Sequence, residues 1–350
     1  MHLIIPADLK KRWKAVVAVI AHKQSQGTAL SYRWSLDEKE RAELKGWLAF
    51  NSNFSGITIN SAIQTDFSLT IFCDASGSGV GSVLYFDPYR KLTSFSPIPE
   101  PLLETSSTFR ELLAILEAAK AFSRYIIFEK VLFYCDNQAA VTVLKKGSAK
   151  PDLQGLAIQI WDLLDQLRIR TDFAWIPRTL NSEADQASRF IDLDDWSISN
   201  SIFAELQNAW GTCTLDMFAS EFTAKCSRFV SRWVSQQTLA VDAFSIEARK
   251  LWGSEFLWWV PPPYLIARSI LVAKQCGTTG ILGFPLWESN LFYPLLRKGD
   301  QWIPEIKDMK IYPAGFPVLN GFSHSHTFGC PYLQFDFAFA LIDFPSPAGL

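Results

Sequence analysis

Four carboxylates in the middle of the chain stand where neighbouring strands and helices could bring them together: Asp74 in FCDASGSG, Glu111 in TFRELLAI, Asp136 in FYCDNQAA and Asp185 in NSEADQASR. Acids crowded within a few ångströms cannot all stay ionised unless a cation sits among them. A hard ion such as Mg²⁺ takes few carboxylates and completes its shell with water and phosphate oxygens. Two such ions ~3.5–4 Å apart stabilise both the attacking and the leaving oxygen of an in-line phosphodiester displacement. The chemistry to expect is metal-assisted phosphodiester hydrolysis. Taken singly, each acid has an ordinary alternative. Glu111 could close a capping box with Thr108, Asp136 could cap a helix, Asp74 could shape a turn, and Asp185 could be a solvated helix residue. Their order along the chain (strand end, helix, strand end, helix) is harder to explain as four separate accidents.

The elements that must position these acids are legible from periodicity. Strands are expected over 68–75, 79–86 and 91–96, the last stopped by Pro97, Pro99 and Pro101. Leu112, Ile115, Leu116, Ala119 and Phe122 then recur at helical spacing over 105–124. Strands at 131–136 and 170–176 and helices at 137–144, 152–167 and 181–189 complete the order βββ-α-β-α-α-β-α, which calls for an α/β fold: a mixed sheet with helices on its faces.

These residues resemble the ribonuclease H domain attached to retroelement reverse transcriptases. The resemblance lies in Asp74 within DASGSGVGSVL, Glu111 in T-x-x-E-L-L-A-I, Asp136 in D-N-Q-A-A, and N-x-x-A-D from Asn181 to Asp185 followed by Ser188 and Arg189. It implies a five-stranded mixed sheet, two Mg²⁺ or Mn²⁺ ions held by Asp74, Glu111, Asp136 and Asp185, and cleavage of RNA paired with DNA. Asn137 is a candidate for substrate contact and Ser188 for orientation near Asp185. One departure stands out. Cellular members of the family carry a histidine in the loop before the last acid, whereas here that loop reads Trp175-Ile176-Pro177-Arg178-Thr179-Leu180. Arg178 could contact phosphate in its place, or be a solvated arginine.

The flanks are similar to DIRS-like retrotransposons, in which a Trp-rich region resembling a DNA adenine methylase follows the nuclease. LDMFAS (215–220), VDAFS (241–245), VPPPY (260–264) and FPLWESNLFYPLL (284–296) look like that region. Methyl transfer is not expected, because Pro261 stands where the methylases place a side-chain acceptor for the amine. The organisation expected is a helical connection over 1–62, the ribonuclease H-like domain over 63–190, a second α/β region over 191–310 and a low-charge tail over 311–350. In that tail FDFAFALIDF (335–344) looks like an aggregation-prone strand. No polymerase palm appears, so the chain reads as the downstream part of a polyprotein with an upstream polymerase, or as a truncated copy. The competing function is an inert remnant or nucleic-acid-binding module.

Composition narrows the rest. The 350 residues are 49% hydrophobic and 19% charged, with net charge −2, which excludes a disordered chain and a globally basic one. No apolar run reaches the ~18–20 residues of a membrane span. Six scattered cysteines with no C-x-x-C argue against a disulfide framework or zinc site and for an intracellular protein of cytoplasm or nucleus, not a secreted one. The best local cluster for a phosphate backbone is Lys145, Lys146 and Lys150. An RNA/DNA hybrid would be read by shape and 2′-hydroxyls rather than by base sequence.

Overall fold

The computed structural model describes residues 66–190, 196–320 and 332–346, with a few isolated positions before residue 50. Apart from those positions, the helical connection expected over 1–62 lies outside the described residues. The chain divides after Phe190 into two compact units.

In the first unit, β1 (Leu69–Ala75), β2 (Gly79–Tyr85) and β3 (Lys91–Pro97) form an antiparallel meander. Helix α1 (Ser107–Ala121) begins where Ser106 Oγ accepts the Phe109 N–H at 3.2 Å. Ser106 is thus the cap, and Glu111 instead lies on the buried stripe with Ile115 and Ala118, at i, i+4 and i+7. Strand β4 (Lys130–Cys135) returns parallel to β1. Helix α2 (Gln138–Lys146) follows, capped by Asn137, whose side chain accepts the Ala140 N–H at 3.0 Å. Helix α3 (Pro151–Gln166) opens on proline, whose missing N–H does not matter in a first turn. Strand β5 (Arg170–Trp175) pairs parallel with β4, and helix α4 (Ser182–Ser188) closes the unit. The sheet order is β3-β2-β1-β4-β5. This is the mixed five-stranded sheet expected, and β1, with Asp74, is its central strand.

The second unit is also α/β. Its sheet holds β6 (Leu215–Asp216), β7 (Phe256–Trp259) and β8 (Thr279–Pro285) in parallel, with helix α5 (Pro263–Cys276) between the last two. Strands β9 (Ile306–Tyr312) and β10 (Phe337–Asp343) complete it in the order β9-β10-β8-β7-β6. The run expected to be an aggregation-prone strand in a tail is therefore an interior strand, paired antiparallel on both sides. Phe337, Ala338, Phe339, Ala340 and Ile342 are all buried, and burial of both faces explains why the run is continuously apolar. Partners on both edges leave it no open edge to aggregate through. Among the described residues, no helix is long and apolar enough to cross a membrane.

Candidate active site

Register alone brings two of the acids together. Cys73 on β1 lies opposite Cys135 on β4, so Asp74 and Asp136 are the next residues on neighbouring parallel strands, spaced ~4.8 Å apart. The antiparallel ladder sets Asp74 opposite Gly81 on β2, and directly paired residues share a face. On that face α4 lies against the bare backbone of β2. A Cβ on Gly81 would fall 2.2 Å from Ser188 N and 2.7 Å from Ala184 O. The buried residues of α4 are accordingly small: Ala184, Ala187 and Ser188. This approach lets Ser188 Oγ donate to Asp74 Oδ2 at 2.6 Å. Glu111 comes from the side of the paired cysteines, where its Oε2 accepts from Cys135 Sγ at 3.5 Å. Asp185 Oδ1 accepts from Arg178 Nη2 and, at 3.0 Å, from Arg189 Nη2.

The four acids thus converge, with Arg178 and Ser188 beside them. Ser188 Oγ lies 2.9 Å from the Asp185 carbonyl and also reaches the Asp74 carboxylate, at 2.6 Å, because α4 crosses β2 at the residue paired with Asp74. Asn137 spends its side-chain oxygen on the α2 cap. Lys145 and Lys146 are not brought to the acids. They end α2 seven and eight residues beyond its start, at a rise of ~1.5 Å per residue, and Lys145 pairs with Asp172 at 3.3 Å.

Crowding shows in the protonation behaviour. Burial pushes the Glu111 carboxyl up to about 8, helped by the Asp74 and Asp136 charges and opposed by the Cys135 thiol and the Ala75 backbone. Asp74 is raised by burial, with the Ser188 hydrogen bond opposing and the Asp136 and Asp185 charges adding. Burial also raises Asp136, which Arg178 partly offsets. Among the described residues, Glu111, Cys135 and Asp136 each place one ligand atom within 4.8 Å of the others. Burial and the Glu111 charge raise the Cys135 thiol, keeping it protonated and leaving the oxygens as donors. Carboxylate oxygens that repel one another in a buried site fit a hard divalent cation. Replacing Ser188 with alanine removes the side-chain donor to Asp74 and should lower the unfolding free energy by ~1.5–3 kcal/mol, read by urea denaturation at pH 7.

Two supporting residues were noted in the sequence only as parts of motifs. Trp175 Nε1 donates to the Asp136 carbonyl at 2.9 Å, and the buried Asn181 Nδ2 donates to the Cys73 carbonyl at 2.9 Å. Each ties the loop before α4 to a backbone position next to a candidate ligand. Their place in the motifs was visible, but those tertiary hydrogen bonds had no local signal.

Residues 102–191 match the family described as reverse transcriptase-like. The first unit has a ribonuclease H-like fold, a mixed five-stranded sheet flanked by helices. Similar solved structures include ribonuclease H1 of the halophilic archaeon Halobacterium salinarum NRC-1, 20% identical with TM-score 0.30, over 34% of this chain and 92% of that one. Ribonuclease H1 LC11, crystallised with an RNA/DNA hybrid, is 20% identical with TM-score 0.28, over 34% of this chain and 92% of that chain. The foamy viral protease-reverse transcriptase in complex with RNA/DNA hybrid is 15% identical with TM-score 0.28, over 48% of this chain and 28% of that chain. No curated protein matches the chain. Within the ribonuclease H-like domain, the acids sit at the ends of β1 and β4 and on α1 and α4.

Proposed function

We propose that the ribonuclease H-like domain is a metal-dependent endonuclease that hydrolyses the RNA strand of RNA/DNA hybrids, within a retrotransposon reverse transcriptase polyprotein whose polymerase lies upstream. The observation carrying this reading is the convergence of Asp74, Glu111, Asp136 and Asp185, with burial and mutual charge raising the first three. Asp74, Glu111 and Asp136 would hold the metal, Mg²⁺ or Mn²⁺ as two ions, and Asp185 would close the site. The bound ions would activate a water and neutralise charge on the scissile phosphate. The chain's own residues do the positioning. Ser188 fixes the Asp74 carboxylate, Trp175 fixes the backbone of Asp136, and Asn137 starts the helix that carries the chain away from the site.

For the second unit we infer a structural or nucleic-acid-holding role. The one buried acid among its described residues, Asp216, accepts the backbone N–H of Phe218 and Lys225 at 3.2 and 3.0 Å, which commits it to shaping its own loop.

The test is cleavage of a labelled RNA/DNA hybrid with Mg²⁺ or Mn²⁺, comparing the chain with Asp136→Asn. Metal-dependent cutting of the RNA strand is expected, reduced ~10²–10³-fold in the variant, an effect of the size seen when a catalytic electrostatic group is lost. A folded chain that cuts nothing would leave the inert or binding-module reading in its place.

A further inference from the structure

Cys135 ends β4 immediately before Asp136, and phosphodiester hydrolysis gives its sulfur no part. Yet the sulfur has a directed setting. It donates to Glu111 Oε2 at 3.5 Å and accepts the Asn137 backbone N–H at 3.4 Å. Asn137 caps α2, so the sulfur stands at the N-terminus of a nine-residue helix. Backbone N–H groups and the helix dipole at such a place favour a thiolate. One side of the sulfur is therefore prepared for negative charge. Its other side faces a carboxylate across a single proton, and a cation in place of that proton would be held by both groups.

The spacing selects the cation. Zn²⁺ bonds sulfur at ~2.3 Å and carboxylate oxygen at ~2.0 Å, and at tetrahedral angles those lengths put the two ligand atoms ~3.5 Å apart. Cys135 Sγ and Glu111 Oε2 already stand at 3.5 Å. A third ligand atom, from Asp136, lies within 4.8 Å of both, on a half-buried side chain at the open end of β4. Water completes the tetrahedron. Mg²⁺ takes oxygens alone, in an octahedron, so the thiol stays outside its shell. Sulfur thus adds affinity for Zn²⁺ that the harder Mg²⁺ and Mn²⁺ do not draw on. No C-x-x-C spacing announces such a site, because its donors come from a helix and a strand end.

We propose that Glu111, Cys135 and Asp136 form a binding site for Zn²⁺, which takes two of the acids from the hydrolytic ions and holds the nuclease inactive. The inhibition rests on the nuclease reading above, whereas the binding stands without it. As the Zn–S bond forms, the thiol proton passes to solvent. Glu111 and Asp136 cannot serve Zn²⁺ and the hydrolytic ions together, so the two kinds of cation compete. With Mg²⁺ or Mn²⁺ bound, the thiol keeps its proton and remains a neighbour of the site.

Calorimetry with Zn²⁺ and with Mn²⁺ tests this on the full chain, comparing the parent with Cys135→Ser and Cys73→Ser. Serine keeps the size and removes the sulfur. Cys73, opposite Cys135 on β1 but outside the ligand group, controls for loss of a buried thiol. Zn²⁺ should bind the parent more tightly than Mn²⁺ and displace it. Cys135→Ser should lower the ratio of Zn²⁺ to Mn²⁺ affinity by at least ~10²-fold, since losing even an outer partner of a ligand reaches that size. Cys73→Ser should leave the ratio unchanged. Co²⁺ as a coloured stand-in should show tetrahedral sulfur coordination in the parent and in Cys73→Ser, and lose it in Cys135→Ser. An unchanged ratio in Cys135→Ser overturns the proposal, as does Zn²⁺ that binds without displacing Mn²⁺. Should Cys135→Ser fail to fold, by thermal unfolding, the parent's Co²⁺ spectrum decides, and absence of sulfur coordination overturns the site. In Mg²⁺-supported hybrid cleavage, added Zn²⁺ should stop the parent at lower concentration than Cys135→Ser. If the parent cuts nothing with Mg²⁺ or Mn²⁺ alone, the nuclease reading falls and calorimetry still decides the site. If the parent cuts and Zn²⁺ ignores Cys135, only the zinc site falls.

Discussion

Replacing Glu111 with glutamine should stabilise the metal-free protein at pH 8 while abolishing hybrid cleavage at the same pH. The folded protein holds the Glu111 carboxyl at about 8, chiefly through burial, against ~4.3 in an unfolded chain. Between those values the folded state keeps a proton that the unfolded state has released. Stability from this group is therefore fully present below pH ~4.3 and falls by ~1.4 kcal/mol per pH unit until pH ~8, ~5 kcal/mol at the upper bound. Asp74 and Asp136 are raised as well and act with the same sign. Glutamine mimics the protonated acid and keeps an oxygen to accept from Cys135. Urea unfolding in EDTA at several pH values from 5 to 8 should show a falling stability for the parent and a flatter profile for the variant. Adding Mg²⁺ at pH 8 should then raise the stability of the parent more than that of the variant, because a cation among the acids replaces the missing proton. Parallel pH profiles would mean that Glu111 is already ionised in the folded protein, and that the acids do not crowd as described.

Much of this site could be read from the sequence because its positions follow local rules. The strand boundaries around Asp74 and Asp136 come from apolar runs ended by Asp and Gly, and parallel pairing of two such strands sets their ends side by side. The buried stripe that carries Glu111 follows from helical spacing. What could not be read depends on which backbone meets which. Ser188 and Asp185 lie three residues apart on α4, close enough for the serine Oγ to sit 2.9 Å from the Asp185 carbonyl, but only the approach of α4 to β2 brings that hydroxyl to the Asp74 carboxylate as well. Arg178 is paired through a loop whose path is set by hydrogen bonds from Trp175 and Asn181 to distant carbonyls. The apolar run at 335–344 does form a strand, Phe337–Asp343, and only its exposure differs from the expectation. A continuous hydrophobic stretch does not say whether its faces and edges will be covered, and here β8 and β9 cover both edges.

Gly81→Ala should damage the domain more than its single added methyl suggests, with a loss of at least ~3 kcal/mol in unfolding free energy, at the upper end for overpacking. The new Cβ would meet Ser188 N at 2.2 Å, the Ala187 carbonyl carbon at 2.5 Å and Ala184 O at 2.7 Å, all backbone atoms that no rotamer change can move. Relief requires α4 to shift away from β2, and α4 carries both Asp185 and the Ser188 hydroxyl that holds Asp74. Stability and metal-dependent cleavage should therefore fall together. Gly77→Ala serves as the comparison, because a Cβ there meets nothing within 4 Å and its φ is not left-handed. That change should be neutral or stabilise by ~0.4–1 kcal/mol through the unfolded chain. Urea unfolding and hybrid cleavage of the two variants, measured together, separate a general dislike of alanine in the DASGSGVG segment from contact at one position. If alanine were tolerated at 81 with activity intact, α4 could not be resting on the strand, and neither Ser188 nor Asp185 could stand where the acids need them.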